Sequence, residues 1–247
     1  MLKTVVKKIA DVLGIHSIQN RQLILENAKR SDEILWGLIF NNAISDSEWL
    51  LKKSFNPGRW AAGYPMLYLL YRIYNEIKPK AILEFGLGES SKLGYQYDRF
   101  FKDVNYIVIE QDDNWLNFFS AQIHDIRPNT ILLDIEKSLI KGFEVNQYKG
   151  LIKALENKKF NLVIVDGPWG SAHYSRYQVV EIAENYHLHD DFIIIIDDYE
   201  RPGEKETVAA LREVLHQHQV EFAEGVYSGA KKTLLLCSKN YKFLTSL

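Results

Sequence analysis

The sequence predicts an α/β protein: a doubly wound, mostly parallel seven-stranded sheet with a helical N-terminal extension. From Lys80 onward, short apolar runs alternate with segments of helical spacing. Runs such as Phe192–Ile196 are apolar at every position, so both faces are buried, as in a parallel sheet covered by helices. Residues 1 to 75 instead carry apolar positions at three- and four-residue intervals. The expected division is therefore an extension over 1–75 and a sheet domain over 76–247.

The extension opens with MLKTVVKKIADVLGI, where Leu2, Val5, Val6, Ile9, Val12 and Leu13 have helical spacing, broken by Lys7, Lys8 and Asp11. This stretch lacks the continuous apolar core of a signal peptide. It reads as a helix packed on the domain, as a lid or as a homodimer contact, with a membrane-surface helix as the rarer alternative. SDEILWGLIFNNAI and YPMLYLLYRIYNEI continue the pattern, and Pro57-Gly58 turn the chain between them beside Arg59 and Trp60. That Arg–Trp pair is a candidate to close over a ligand or grip a sugar face, and Trp60 equally a candidate to pack the first helices on the core.

The sheet domain offers strands at 81–85, 106–110, 130–134, 161–166 and 192–197, with helices at 90–101, 114–124, 175–186 and 204–218. VEFAEGVY and KKTLLLCS close the chain as an antiparallel pair. Right-handed crossovers wind such a sheet, and ligands bind at the carboxyl ends of its strands. Glu110, Asp134, Asp166 and Asp197 end four of the five strands, which makes that edge the place to look.

Composition excludes several classes. Hydrophobic content of 47% and charged content of 25% suit an ordinary globular protein, and a formal net charge of −2 gives no electrostatic basis for a nucleic-acid partner. The single cysteine, Cys237, rules out an internal disulfide and a Cys-based zinc cluster. It fits a reducing, cytoplasmic compartment. No apolar run approaches the roughly 20 residues needed to span a bilayer.

AILEFGLGES, residues 81–90, places a glycine turn between a strand and a helix, the setting of a nucleotide loop. Gly86 and Gly88 allow close backbone approach, and Ser90 or Ser91 can cap the helix. A dinucleotide fingerprint wants a third glycine where this chain has Ser91, and has no use for Glu84 close to a pyrophosphate. An acid there suits a cationic ligand such as S-adenosylmethionine, whose carboxylate can use the loop N–H groups. Glu110, about twenty residues beyond the glycines and followed by Gln111, is placed to accept from ribose hydroxyls. Asp134 is a candidate for the adenine amino group.

The second informative stretch is FNLVIVDGPWGSAHYSRYQ. Asp166 ends a strand, and Trp169, His173 and Arg176 follow on a loop. IDDYERPGE adds the paired acids Asp197 and Asp198 after the next strand. Asp166, Asp197 and Asp198 on neighbouring strands converge, and converging carboxylates share a proton or hold a cation, with Mg2+ or Mn2+ suited to oxygen ligands. Asp166 and Asp198 are candidates to place an acceptor, and His173 to act as general base. Arg176 is suited to a substrate carboxylate and Trp169 to a substrate face.

LEFGLGESS followed by YIVIEQDDNW resembles the class I S-adenosylmethionine-dependent methyltransferases. A narrower likeness is to the plant glucuronoxylan and arabinogalactan glucuronic acid 4-O-methyltransferases. It is carried by Phe85 to Ser90, by Glu110 to Asp112 with Trp115, by Val165 to Pro168 with Arg176, and by Asp198 with Arg201, Pro202 and Glu204. It spans Lys80 to Leu215 and departs at Asp197, where that family has histidine, and at Trp169, where it has a basic residue. The paired acids are also similar to those of cation-dependent O-methyltransferases, including ones acting on macrolide sugars. The resemblance implies a Rossmann-like methyltransferase fold, S-adenosylmethionine as cofactor, and a sugar or glycan hydroxyl as acceptor. The alternatives are a phenol or other metabolite as acceptor, or a nucleotide-binding protein of this fold without turnover. An NAD-dependent oxidoreductase is disfavoured by Glu84 and the missing glycine.

Overall fold

The structure, a computed structural model, describes residues 2–14, 17–123 and 129–246. In chain order the elements are α1 (Leu2–Val12), α2 (Ser17–Ala43), α3 (Tyr64–Glu76), β1 (Ala81–Phe85), α4 (Glu89–Phe100), β2 (Asn105–Glu110), α5 (Asp113–Gln122) and β3 (Thr130–Leu132). Then come β4 (Ile135–Ile140), β5 (Phe143–Tyr148), α6 (Leu151–Leu155), β6 (Phe160–Val165), α7 (Gln178–Glu184), β7 (Leu188–Ile196), α8 (Pro202–Gln217), β8 (Phe222–Ser228) and β9 (Lys232–Ser238), followed by a 3-10 helix, Lys239–Thr245.

Seven strands form one sheet in the order β3-β2-β1-β6-β7-β9-β8. β1 pairs in parallel with β2 and β6, and β6 with β7, whereas β9 runs antiparallel to β7 and to β8. Side chains alternate across each strand. Ile82 joins a core with α2 to α5, while Leu83 and Phe85 join a second core with α6, α7 and α8. The run Phe192–Ile196 is buried throughout and divides between the two.

Three features depart from the sequence expectation. A two-stranded β4–β5 hairpin occupies a stretch for which no element was expected. Its turn is Lys141-Gly142, both at positive φ (48° and 89°), the geometry of a two-residue hairpin connection. The third strand ends at Leu132, so Asp134 lies beyond it. And α3, counted with the extension from sequence, is integral to the first core through Met66, Leu67, Leu70 and Tyr74.

The extension is held only at its later end. Trp36 and Phe40 of α2 are buried, and Trp36 Nε1 donates to the Ser228 carbonyl at 2.9 Å. Val5, Val6, Ile9, Leu23, Ile24 and Leu25 are all about half exposed or more. Trp60 is 89% exposed, so it does not pack the first helices on the core. At the opposite extreme, Cys237 is fully buried in β9, which pushes its thiol up to about 11. No helix among the described residues is long and apolar enough to cross a membrane.

Candidate functional site

The register aligns Phe85 with Val165 and Val165 with Ile196. The next residues, Gly86, Asp166 and Asp197, therefore leave the sheet side by side at one edge. Gly86 has φ +87°, and a Cβ there would lie 2.8 Å from the Asp166 carbonyl oxygen. Glycine at 86 is thus required by packing of the loop on the end of β6. Gly88 is different: its φ of −164° is open to any residue, and a Cβ there would meet nothing within 4 Å. The space beside Gly88 is what a ligand would fill.

Glu84 does not face that space. It shares the Ile82 side of β1, is 0% exposed, and accepts from Ser90 Oγ (2.5 Å), Ser91 Oγ (3.0 Å) and the Tyr106 hydroxyl. Burial pushes its carboxyl up to about 7, although the three hydroxyl donors pull the other way. The expected contact of Glu84 and Ser90 with a cationic ligand is corrected accordingly. Strand alternation turns Glu84 inward, where with Ser90 it anchors the start of α4 from beneath.

Glu110 is at the expected strand end, 2% exposed. Its Oε2 accepts from Leu87 N–H at 2.8 Å, and its Oε1 from Gln111 N–H at 2.8 Å and Asp112 N–H at 2.9 Å. It ties the glycine loop to β2, and Trp115 Nε1 reinforces the tie by donating to the Leu87 carbonyl at 2.7 Å. Gln111 Oε1 is buried with no hydrogen-bond partner. This orphaned acceptor and the empty Gly88 flank fit a polar adenosine-type cofactor, which Gly88, Gln111 and Glu110 would hold. Asp134 is exposed, and its carbonyl accepts from Lys149 N–H at 2.8 Å.

Asp166, Asp197 and Asp198 do converge, with one carboxylate oxygen from each within 4.8 Å of the others. They meet the chain's own cations. Arg176 Nη2 lies 3.1 Å from Asp166 Oδ1 and 3.1 Å from Asp198 Oδ2, and its Nη1 donates to the Asp197 carbonyl at 3.2 Å. Lys231 Nζ lies 2.8 Å from Asp197 Oδ2 and 3.4 Å from Asp198 Oδ1, and Arg201 Nη1 2.9 Å from Asp198 Oδ2. Thr233 Oγ1 donates to Asp197 Oδ1 at 3.2 Å. Asp198 Oδ1 alone of the four Asp197 and Asp198 carboxylate oxygens is buried without a hydrogen bond.

Burial first, and the neighbouring carboxylates next, raise the Asp166 carboxyl above its usual range, with Arg176 and Lys231 opposing. Burial also raises Asp197, against Lys231. Desolvation works against the Arg176 charge but is outweighed by Asp166, Asp198 and Asp197, so its pKa is raised. Arg176 and Asp198 both sit at positive φ (59° and 58°), a backbone strain of about 1–3 kcal/mol each that the surrounding network sustains.

Two sequence expectations are corrected here. Arg176 is buried within the aspartate network with both Nη atoms committed there and Nε buried without a partner, so it presents no exposed fork to a substrate carboxylate. A divalent ion on Asp166, Asp197 and Asp198 would have to displace Lys231 or an arginine, so the residues present do not fit a resident metal.

His173 stands apart from this network. Its Nδ1 pairs with Glu206 at 3.0 Å, and its ring stacks on Phe143 with centroids 4.0 Å apart. Trp169 is 66% exposed, and its carbonyl accepts from Asn146 Nδ2 at 3.2 Å, so the hairpin steadies this loop. Arg59 is exposed with φ 55°.

The sequence reading missed Lys231. It precedes a strand, and strand starts usually lie away from the ligand edge. Because β9 is antiparallel, its start comes to that edge; the KK pair before TLLLCS was the available signal.

Neither a known family's sequence profile nor a curated protein sequence matches this chain. Solved structures do. A caffeoyl-CoA O-methyltransferase assignment attaches to one from Staphylococcus aureus, which is 14% identical over 81% of this chain and 97% of its own, with a TM-score of 0.50. The O-methyltransferase TomG of Streptomyces achromogenes, involved in tomaymycin synthesis and solved in complex with S-adenosylmethionine, is 15% identical over 83% of this chain and 98% of its own, with a TM-score of 0.51. The fold is that of the Rossmann-like methyltransferases.

Proposed function

We propose that this chain is an S-adenosylmethionine-dependent O-methyltransferase whose acceptor is an uncharged sugar or small-metabolite hydroxyl. The observation that carries the reading is the shared edge: the open flank of Gly88 and the orphaned Gln111 Oε1, with Asp198 Oδ1, which accepts no hydrogen bond, two strands away from Gly88. The cofactor, when bound, supplies a methyl group on a positively charged sulfur. The acceptor oxygen forms the new bond to that methyl carbon as the carbon–sulfur bond breaks, with its electron pair left on sulfur. Asp198 Oδ1, which accepts no hydrogen bond and has only the Lys231 ammonium at 3.4 Å, takes the hydroxyl proton in place of His173, which Glu206 holds elsewhere.

An uncharged acceptor is favoured over a uronic acid because Arg176 is committed to Asp166 and Asp198. The exposed Trp169 offers a flat apolar face for a sugar or an aromatic ring. The exposed apolar residues of α1 and α2 support a homodimer contact for the extension.

Calorimetry with S-adenosylmethionine and with NAD tests the cofactor class: heat with the former and none with the latter is expected, and the reverse would sink the reading. A labelled-methyl screen over neutral sugars, uronic acids and phenols then sorts the acceptor.

A further inference from the structure

On the methyl-transfer reading above, we propose that the site carries its own cation: Lys231 Nζ stands where a divalent ion would bridge Asp197 and Asp198, and it orients the acceptor oxygen beside Asp198 Oδ1. The contact distances of 2.8 and 3.4 Å put the ammonium between the two carboxylates. Its side chain is 12% exposed, so the charge is held at the boundary between the network and the edge. A hard divalent ion is held by at least one or two free carboxylate oxygens and completes its shell with waters. Here Asp197 Oδ1 accepts from Thr233, Asp197 Oδ2 pairs with Lys231, and Asp198 Oδ2 pairs with Arg176 and Arg201. Each of the three aspartates is already paired with a cation of the chain, which a further cation would have to displace.

The N-terminal extension belongs to this device. Lys231 ends the turn between β8 and β9, where its carbonyl accepts from Gly229 N–H at 2.9 Å. Glu33 of α2 clamps the same turn: Oε2 accepts from Ala230 N–H at 2.8 Å, and Oε1 from Tyr64 N–H at 2.7 Å. A carboxylate on α2 thus fixes the backbone next to Lys231, with α3 as its second point of attachment. An ammonium has three N–H donors. One is donated to Asp197 Oδ2 at 2.8 Å, Asp198 Oδ1 at 3.4 Å receives none, and a donor is therefore available to an acceptor oxygen. Glu33 is a positioning residue, and it gives the extension a role in the site besides any contact between copies.

The test is a manganese titration of the full chain, read by electron paramagnetic resonance, with S-adenosylmethionine calorimetry on the same sample. Wild type is expected to leave the free manganese signal unchanged at millimolar ion. Lys231→Met, checked for folding by near-ultraviolet circular dichroism, should bind manganese about tenfold more tightly or better, because one cation has left three carboxylates. Lys231→Arg should bind no more than wild type. Glu33→Gln should lie between Lys231→Met and wild type. One manganese per wild-type chain, lost in Asp198→Asn, would overturn the proposal. So would a folded Lys231→Met that gains no manganese. Turnover, once an acceptor is in hand, should survive a chelator unchanged, and a chelator-sensitive wild type would likewise overturn it. Absence of S-adenosylmethionine binding would instead remove the methyl-transfer reading and leave the manganese result to stand on its own.

Discussion

Two groups of acids lie near the same sheet edge and are satisfied in opposite ways. Glu84 and Glu110 take their hydrogen bonds from neutral donors, hydroxyls in one case and backbone N–H groups in the other. Asp166, Asp197 and Asp198 take theirs largely from Arg176, Lys231 and Arg201. Neutral donors leave a buried carboxylate free to protonate, so Glu84 is poised near neutrality. Cations fix the geometry of the carboxylates they pair with and favour their charged form, against the burial that raises Asp166. The glycine loop is thus held through neutral donors and the chemistry end through ion pairs, while burial raises carboxyls in both.

The largest expected effect breaks the cationic side. Arg176→Met leaves buried Asp166 without its ion-pair partner, removes one of the three cations beside Asp198, and should cost about 3–5 kcal/mol, read as a lowered midpoint in urea denaturation. A loss below about 1 kcal/mol would mean that the ion pairs are replaced by water and the contrast fails.

The neutral side should show itself in pH dependence. Glu84 titrates at about 7 in the folded chain against 4.5 when free. The folded state therefore binds more protons between those values, and the Glu84 contribution to stability falls as pH rises from about 5 to 7, then levels above. The upper bound on the change is about 3 kcal/mol. Calorimetric melting of wild type and Glu84→Gln over that range measures it; because burial raises Asp166 as well, the variant should show a shallower slope and not a flat one, and parallel curves would assign the slope to other groups.

The two loop glycines separate packing from binding. Gly86→Ala should lose about 2 kcal/mol of stability, since both positive φ and the Asp166 carbonyl oppose a Cβ. Gly88→Ala should melt like wild type and bind S-adenosylmethionine about tenfold more weakly, an expected 1.4 kcal/mol. Equal melting of both variants would remove the distinction. The smallest effect is Arg201→Ala. That side chain is 41% exposed, and its loss should cost no more than about 1 kcal/mol in a thermal melt.

Much of the sheet was legible because its strands are apolar runs bounded by acids and turns. Phe192–Ile196 could be placed from its own residues. The β4–β5 hairpin was not, because half-exposed strands such as IEKSLI carry a weak apolar signal. The convergence of Asp166, Asp197 and Asp198 followed from strand order. Its charge balance did not, since Lys231 comes from a distant antiparallel strand and Arg176 turns inward through a left-handed backbone. Glu84 illustrates the same limit: its place beside the loop was plain, but its direction depended on strand parity and on Tyr106, a residue of the next strand.

The lone thiol in β9 has a practical consequence. Cys237 is fully buried in β9, one strand in from the sheet edge, with its Sγ donating to the Tyr241 carbonyl of the closing 3-10 helix. A thiol reagent can reach it only when this end of the structure opens. The rate of labelling at Cys237 is therefore a built-in clock for the opening of this protein, readable at trace concentration and without denaturant, in every variant described above.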